Sequence, residues 1–185
     1  MSPKLKLLRI TTVPLSLHKL LGNQLRFINK YYEVIGVASE GLLLDRVAEE
    51  QGIRVYGVNM TRIVSPLQDL LSLFRLYLLI RREKPSIVHT HTPKAGLIGM
   101  LAAWMARVPV RLHTVAGLPL LETKGVKRKI LIITEKLTSA CAHKVYPNSH
   151  KMMQIMVEEN LCSPEKLKVS GNGSSNGINT EYFNT

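Results

Sequence analysis

The chain has 185 residues and a mass of 20.8 kDa, with 45 % hydrophobic and 5 % aromatic residues. That apolar content can offset chain entropy and excludes a disordered protein, and the scarcity of aromatic residues fits a layered α/β protein better than a β sandwich. Lysine and arginine number 25 against 13 aspartate and glutamate residues, a net charge of +12. So large a charge indicates an anionic neighbour: nucleic acid, an anionic membrane surface or a phosphorylated ligand.

The cysteine content and the apolar stretches predict the compartment. Cys141 and Cys162 are too few for a disulfide framework, so a reducing environment is expected. The N-terminal segment lacks the long apolar region and cleavage site of a signal peptide. The longest apolar stretches, 76–80 and 95–106, are shorter than the roughly 18 residues that a membrane span requires. The sequence therefore predicts a cytoplasmic protein with at most peripheral membrane contact.

Short runs of β-forming residues alternate with runs of helical periodicity. The predicted strands are 5–13, 32–39, 53–60, 86–92, 108–115, 143–147 and 166–170. The predicted helices are 16–30, 41–51, 65–84, 93–107, 126–142 and 149 to about 160, with N-caps at Ser16, Thr92 and Ser149, a stop at Gly52 and a first-turn proline at Pro66. Right-handed crossovers then predict an α/β protein with a doubly wound, mostly parallel Rossmann-like sheet of about seven strands.

One domain, 1–170, contains all of the predicted strands and helices. The stretch that follows, GNGSSNG at 171–177, has the composition of a flexible linker. Residues 171–185 are therefore predicted to leave the domain, which indicates that the chain is part of something larger.

Polar residues follow several predicted strands, at the edge where open parallel sheets bind ligands. Thr12, Pro14 and Ser16 follow the first strand, and the first turn has no Gly-x-Gly-x-x-Gly, which argues against dinucleotide binding. Gly117 follows the fifth strand. These positions are therefore candidate ligand contacts.

The segment 92–96 has the composition of a helix N-terminus that binds an anion. Thr92 offers a capping hydroxyl, Pro93 occupies the first helical position, and Lys94 adds a positive charge. Free backbone N–H groups at such a terminus favour a phosphate. The alternative is that Thr92 only caps the helix and Lys94 is solvated.

Three histidines fall on two neighbouring predicted strands. His89 and His91 are two residues apart and therefore share one face of a strand. A zinc site would need further ligands near them, and the sequence shows none, so no metal is predicted. His113 is a candidate general base or an orienting donor to a ligand hydroxyl, or alternatively a histidine satisfied beneath a loop.

Two segments combine apolar and basic residues. The first is 67–84, and the second is 124–136, which places Lys127, Arg128 and Lys129 just before an apolar run. Both are consistent with ordinary helices packed on the sheet, or with surfaces that lie on anionic lipid. Nucleic acid is a poorer fit, because no recognition helix, aromatic-laced basic strand or zinc finger is evident.

The runs KPSIVHTHTPKAG (84–96), RVPVRLHTVAGLP (107–119), YPNS (146–149) and GNGSSNGINTEYF (171–183) together resemble family 4 of the retaining glycosyltransferases. The resemblance covers essentially the whole chain, and within the family it is strongest to bacterial enzymes that build capsule, O-antigen and lipid-linked glycans. It implies one half of a GT-B fold, in which two Rossmann-like domains face a cleft. The chain resembles the N-terminal, acceptor-binding domain, and the nucleotide-sugar-binding C-terminal domain is absent.

The resemblance also implies roles for individual residues. His113 matches the histidine that contacts the transferred sugar and is the expected catalytic residue. The first acceptor loop corresponds to Thr12, Pro14 and Ser16, without the Gly-Gly pair that many members have there. Acceptor or diphosphate contacts are expected at His89, His91, Thr92, Lys94 and Gly117, and Lys127, Arg128 and Lys129 are expected at the membrane surface.

The expected function is acceptor binding in a hexosyl- or N-acetylhexosaminyltransferase of surface polysaccharide synthesis. The expected partners are a nucleotide-sugar, a polyprenyl-diphosphate-linked saccharide and the anionic inner face of the membrane, with no cofactor, no metal and no nucleic acid. This half alone is expected to be inactive. Two alternatives remain open: a non-catalytic membrane-anchoring subunit of a split glycosyltransferase, and half of a GT-B-type sugar-nucleotide epimerase.

Overall fold

The computed structural model describes residues 4–61 and 65–174, which form a single sheet of six parallel strands. The strands are β1 (Lys6–Ile10), β2 (Glu33–Ala38), β3 (Arg54–Gly57), β4 (Ile87–His91), β5 (Val110–Val115) and β6 (Lys144–Pro147). Their order, β3-β2-β1-β4-β5-β6, places the reversal of strand order between β1 and β4. This is the doubly wound, Rossmann-like topology that the alternating pattern predicts.

The α-helices of the described residues connect the strands. They are α1 (Pro14–Ser16), α2 (Gln24–Ile28), α3 (Leu42–Gln51), α4 (Pro66–Glu83), α5 (Pro93–Met105), α6 (Gly125–Cys141) and α7 (His150–Glu158). A π-helical turn, Leu17–Leu21, lies between α1 and α2, and 3-10 turns occur at Pro119–Glu122 and Pro164–Lys166.

Each face of the sheet has its own hydrophobic core. On the first face, buried leucines of the segment 14–28 pack with α3 against Leu7 and Val34. On the second face, α4, α5 and α6 lie side by side and pack against Leu8 and Ile10. Neighbouring residues of β1 therefore point into opposite cores, as the pleat requires.

The first face continues across β4, β5 and β6, where it is polar. His89 and His91 of β4 pair with Leu112 and Thr114 of β5, and Tyr146 of β6 pairs with Thr114, so all five side chains share this face. They line an open cleft and belong to neither hydrophobic core. The first face of the sheet is thus covered by helices at β1 and β2 and is open and polar at β4, β5 and β6.

The predicted first helix, 16–30, is wrong in its continuity. The segment consists of α1, the π-helical turn and α2, interrupted at Gly22, whose φ of 36° and ψ of −132° lie outside the helical region. Ser16 is the last residue of α1 and makes no side-chain capping bond, so its predicted role as N-cap is also wrong.

The predicted seventh strand, 166–170, is reduced to one bridge, in which Leu167 pairs with Val145. The Lys168 N–H donates to the Val145 carbonyl over 3.0 Å. The next bond of a parallel ladder would need a donor at position 147, and Pro147 has no N–H. Within residues 4–61 and 65–174 the sheet therefore has six strands rather than about seven. Residues 175–185 lie outside the described residues, so the linker at 171–185 stays a prediction.

Candidate functional site

An open cleft of about 360 Å³ lies on the polar half of the first face. Its lining residues come from β1, the segment 14–28, β4, β5, β6 and the stretch near 170: Arg9, Gln24, His89, His91, Leu112, Thr114, Tyr146, Pro147, Asn148, Ser170 and Ser174. Pro147 is the last residue of β6 and Asn148 follows it, so the cleft reaches the carboxyl edge of the sheet. This is the edge at which open α/β sheets bind ligands.

His89 and His91 lie together in the cleft, as their spacing predicts. Their ring centroids are 4.3 Å apart, and the His89 Nε2 is 2.8 Å from the hydroxyl of Thr114. Burial, with the nearby charge of Arg9, lowers the pKa of both rings well below 6.5. Both are therefore neutral at pH 7 and can form hydrogen bonds without carrying charge.

Arg9 is one of the cleft residues that sequence reasoning missed, together with Gln24, Leu112 and Tyr146. It is the fourth of the five residues of β1 and is 5 % exposed. Its Nη1 lies 3.3 Å from the Nδ1 of His89, and its Nη2 donates to the Oε1 of Gln24 over 3.4 Å. The signal was present in the sequence, because one arginine interrupts an otherwise apolar strand core, KLLRI. A charged residue within such a run is rarely buried without a reason.

His113 lies on the second face of the sheet and does not line the cleft. It is 2 % exposed, and its Nδ1 is 2.8 Å from the Thr90 hydroxyl. The backbone of Gly96 in α5 closes over the ring, since a Cβ there would lie 2.5 Å from the His113 Cε1. Burial lowers the pKa of His113 to about 4, so this ring is also neutral at pH 7.

The predicted phosphate site at the start of α5 differs from expectation in two ways. Thr92 has a φ of 72° and forms no capping bond with α5. Its hydroxyl instead accepts from the Thr12 N–H over 3.2 Å and lies 2.8 Å from the Thr12 hydroxyl. The predicted cap is therefore wrong, and the threonine pair joins the loops after β1 and β4.

Lys94 is not a solvated or uncommitted cation at that terminus. Its Nζ donates to both carboxylate oxygens of Asp69 on α4, over 2.7 and 2.9 Å. The pair is largely buried. The charge of Lys94 is thus balanced within the protein, and the pair fixes α4 to the start of α5.

The remaining predicted site residues lie along the carboxyl edge or on the surface. Pro14 opens α1, and Gly117 is exposed in the loop after β5. Of the predicted membrane residues, Lys127 and Lys129 are exposed, whereas Arg128 pairs with Glu159 over 2.6 Å. Among residues 4–61 and 65–174, no helix is both long and apolar enough to cross a bilayer.

The strand order defines a Rossmann-like domain, and the polar cleft lies beside its β1/β4 junction. Residues 32–173 match the family described as glycosyl transferase 4-like domain. The chain therefore belongs to the family 4 glycosyltransferases, as the N-terminal type of GT-B domain that the sequence motifs resemble.

Two curated relatives agree with this assignment. The chain is 37 % identical, over 96 % of its length, to the capsular polysaccharide biosynthesis glycosyltransferase CapM of Staphylococcus aureus. It is 31 % identical, over 78 % of its length, to the UDP-Gal:alpha-D-GlcNAc-diphosphoundecaprenol alpha-1,3-galactosyltransferase of Escherichia coli. The chain spans 46 % and 38 % of these proteins, so it corresponds to less than half of each.

Solved structures share the fold at low identity. Anabaena HepE, in complex with UDP and glucose, has a TM-score of 0.70 at 16 % identity, over 91 % of this chain and 45 % of that one. The UDP-N-acetylglucosamine 2-epimerase of Rickettsia bellii has a TM-score of 0.69 at 17 % identity, over 93 % of this chain and 45 % of that one. Solved structures described as a glycosyltransferase and as epimerases thus share this fold, and the fold alone does not separate the two activities.

Proposed function

We propose that the chain is the acceptor-binding domain of a retaining glycosyltransferase of surface polysaccharide synthesis. In this proposal a sugar passes from a nucleotide-sugar to a polyprenyl-diphosphate-linked saccharide. The observation that carries it is the polar cleft over β4–β6, with His89 and His91 side by side and Arg9 next to His89 on the neighbouring strand. The names of both curated relatives, a capsule glycosyltransferase and a galactosyltransferase that acts on a diphosphoundecaprenol-linked sugar, support the same substrate class.

In the proposed arrangement, neutral histidines bind the acceptor saccharide. His89 and His91 offer ring nitrogens to sugar hydroxyls, and the low pKa of each ring keeps a competing positive charge out of the cleft. Thr12, Pro14, Ser16 and Gly117 would border the acceptor at the carboxyl edge. A saccharide suits such a site because its hydroxyls both donate and accept hydrogen bonds.

His113 is proposed to contact the transferred sugar on the donor side. Since the Thr90 hydroxyl lies at Nδ1, the Nε2 position is left for a ligand hydroxyl. The ring is enclosed by α5, so this contact requires approach from the carboxyl edge of β5. The threonine pair Thr12–Thr92 and the Lys94–Asp69 pair are proposed to hold that edge in place.

The proposed site of action is the inner face of the cytoplasmic membrane. The outer surface of α4 exposes Leu67, Leu70, Leu71, Phe74 and Leu78, and that of α6 exposes Val126, Ile130, Ile133 and Leu137. These apolar stripes lie beside basic residues that include Lys127 and Lys129. Apolar and basic side chains on one surface are typical of proteins that lie on anionic lipid. Both helices begin at the carboxyl edge of the sheet, so such contact brings the site near a lipid-linked acceptor.

Transfer by an enzyme that has this chain as its N-terminal half tests the proposal. We expect transfer from a UDP-sugar to an undecaprenyl-diphosphate-linked saccharide, and a loss of about tenfold or more in His113→Ala, the usual scale for a lost catalytic group. Arg46→Ala, an exposed change on α3, is the matched control and should keep full transfer. Wild-type-like transfer by His113→Ala would remove the catalytic role, and transfer only to soluble acceptors would remove the lipid-linked substrate.

A further inference from the structure

Arg9 is a buried cation for which the described residues supply no opposite charge. It lines the cleft, and its nearest polar partners are the neutral Nδ1 of His89 and the amide oxygen of Gln24. Its Nε is buried without a hydrogen-bond partner. The ion pairs of the described residues, such as Lys94 with Asp69, do not include Arg9. The guanidinium is therefore desolvated but not neutralised.

Packing does not account for an arginine at this position. A guanidinium taken out of water without a counter-ion is destabilising, because weak contacts with neutral groups do not replace its hydration. Burial accordingly lowers the pKa of Arg9 to about 10. Two residues earlier on the same face of β1, Leu7 joins the hydrophobic core. An apolar residue at position 9 would extend that core. The presence of an arginine there instead indicates a ligand that carries negative charge.

The rest of the cleft also favours a negative ligand. The Nε2 of His91 is buried without a partner, and the side chain of this histidine is 4 % exposed. Thr114, Tyr146 and Asn148 add hydroxyl and amide groups that can donate hydrogen bonds. Among the described residues that line the cleft, there is no aspartate or glutamate. The cleft thus combines one uncompensated positive charge with several donors.

We propose that the cleft is an oxyanion subsite in which Arg9 binds a phosphate group of a diphosphate ligand. The planar guanidinium offers a fork of N–H donors that matches phosphate oxygens. The inference deepens the proposed function and depends on it only for the source of the diphosphate. A nucleotide-sugar and a lipid-linked saccharide both carry this group, and the subsite chemistry is the same for either.

Calorimetric titration with inorganic pyrophosphate tests the subsite directly. We expect saturable binding to the wild-type protein, weaker by about tenfold or more in Arg9→Met, since a charge-assisted fork is lost. The matched control is Arg46→Met, which removes the same charge from an exposed site on α3. Its pyrophosphate affinity should stay within about twofold of wild type, because exposed charges at a distance are screened.

Thermal unfolding separates ligand binding from a structural role. If Arg9 serves ligand binding, its buried charge destabilises the folded protein. Arg9→Met should therefore keep or raise the Tm while the affinity for pyrophosphate falls. A structural arginine would give the opposite result, a lower Tm with unchanged pyrophosphate affinity. Should Arg9→Met fail to fold, Arg9→Lys retains the charge without the fork and should bind pyrophosphate more weakly than wild type.

Two soluble competitors identify the source of the phosphate. Uridine diphosphate and farnesyl diphosphate are each titrated against bound pyrophosphate, and the one that displaces it at lower concentration indicates the nucleotide or the lipid source. The subsite is overturned if pyrophosphate does not bind the wild-type protein, or binds the Arg9 variants equally well. Because this readout requires no sugar transfer, failure of the proposed function leaves it interpretable.

Discussion

His91 and His113 are buried and His89 is half-buried, and all three histidines of β4 and β5 are uncharged at neutral pH. Burial lowers the pKa of His113 to about 4 and that of His89 and His91 well below 6.5. A neutral imidazole can donate at one nitrogen and accept at the other. This suits hydrogen bonding to sugar hydroxyls, and it leaves Arg9 as the positive charge that lines the cleft.

Because these rings are neutral when folded, the protein should lose stability in mild acid. The pKa of His113 is 6.5 in the unfolded chain and about 4 in the folded protein. Protonation therefore does not disfavour the folded state above pH 6.5, and the stability falls as the pH drops from 6.5 towards 4. Through His113 alone, lowering the pH from 7 to 5 should reduce the free energy of unfolding by about 2 kcal/mol. Urea unfolding at the two pH values measures this change.

His113→Gln is the matched variant for the acid effect. Its hydrogen-bonding amide cannot titrate, so the loss between pH 7 and pH 5 should shrink, with the remainder left to His89 and His91. A variant with the full wild-type pH dependence would show that His113 is not the buried neutral group described here.

At the scale of elements, two glycines set the distance between α5 and the sheet. A Cβ at Gly96 would lie 2.5 Å from the His113 ring, and one at Gly99 would lie 2.6 Å from the Thr90 Cγ2. Contacts this short require the helix or the side chains to move. The glycines therefore let α5 approach β4 and β5 closely enough to bury the Thr90–His113 pair.

Alanine at Gly99 should destabilise the protein by about 1–3 kcal/mol, since overpacking outweighs the gain in helix propensity. Gly117→Ala is the control, because a Cβ there meets nothing within 4 Å and the loop is exposed. Differential scanning calorimetry should show a lower Tm for Gly99→Ala and a wild-type Tm for Gly117→Ala. Equal Tm values would mean that the close approach of α5 is unimportant.

The sequence predicts elements well where a local signal acts alone. Gly52 ends α3 in the left-handed conformation, Pro66 opens α4, and the Ser149 hydroxyl accepts from the Met152 N–H at the start of α7, as expected. The predicted role of a side chain was wrong where a residue distant in sequence takes its hydrogen bond. The Thr92 hydroxyl bonds Thr12 across 80 residues of sequence, and no local pattern contains that contact.

Only part of the candidate site could be predicted, because the rest depends on contacts between residues distant in sequence. The spacing of His89 and His91 shows that they share a face, because the strand repeat is two residues. The pairing of His89 with Arg9 depends on β4 lying beside β1. The position of His113 on the other face of the sheet depends on the register of β5 with β4. The partner of Lys94 comes from α4 and appears only once the helices are packed.

At the scale of the whole molecule, the net charge of +12 and the exposed apolar stripes of α4 and α6 lead to one prediction. The protein should co-sediment with liposomes that contain anionic lipid, and not with neutral ones, in a manner that weakens as salt rises. Lys127→Gln combined with Lys129→Gln should reduce binding about thirtyfold, at about 1 kcal/mol for each basic residue.

The control for the liposome experiment is a basic residue elsewhere on the molecule. Arg46→Gln changes an exposed arginine on α3, which packs on the opposite face of the sheet from α4 and α6. It should bind anionic liposomes nearly as well as wild type. Equal binding to neutral and anionic liposomes, or equal loss in the control, would argue against the proposed surface.

The most direct test of the central claim is to measure which substrate this chain binds. The protein is titrated separately with an undecaprenyl-diphosphate-linked saccharide in nanodiscs and with a nucleotide-sugar. We predict that the lipid-linked saccharide binds without the nucleotide-sugar, and that His91→Ala weakens this binding by about tenfold, the scale of a lost hydrogen bond to a buried polar site. Binding of the nucleotide-sugar with none of the lipid-linked saccharide would contradict acceptor binding and favour the epimerase alternative.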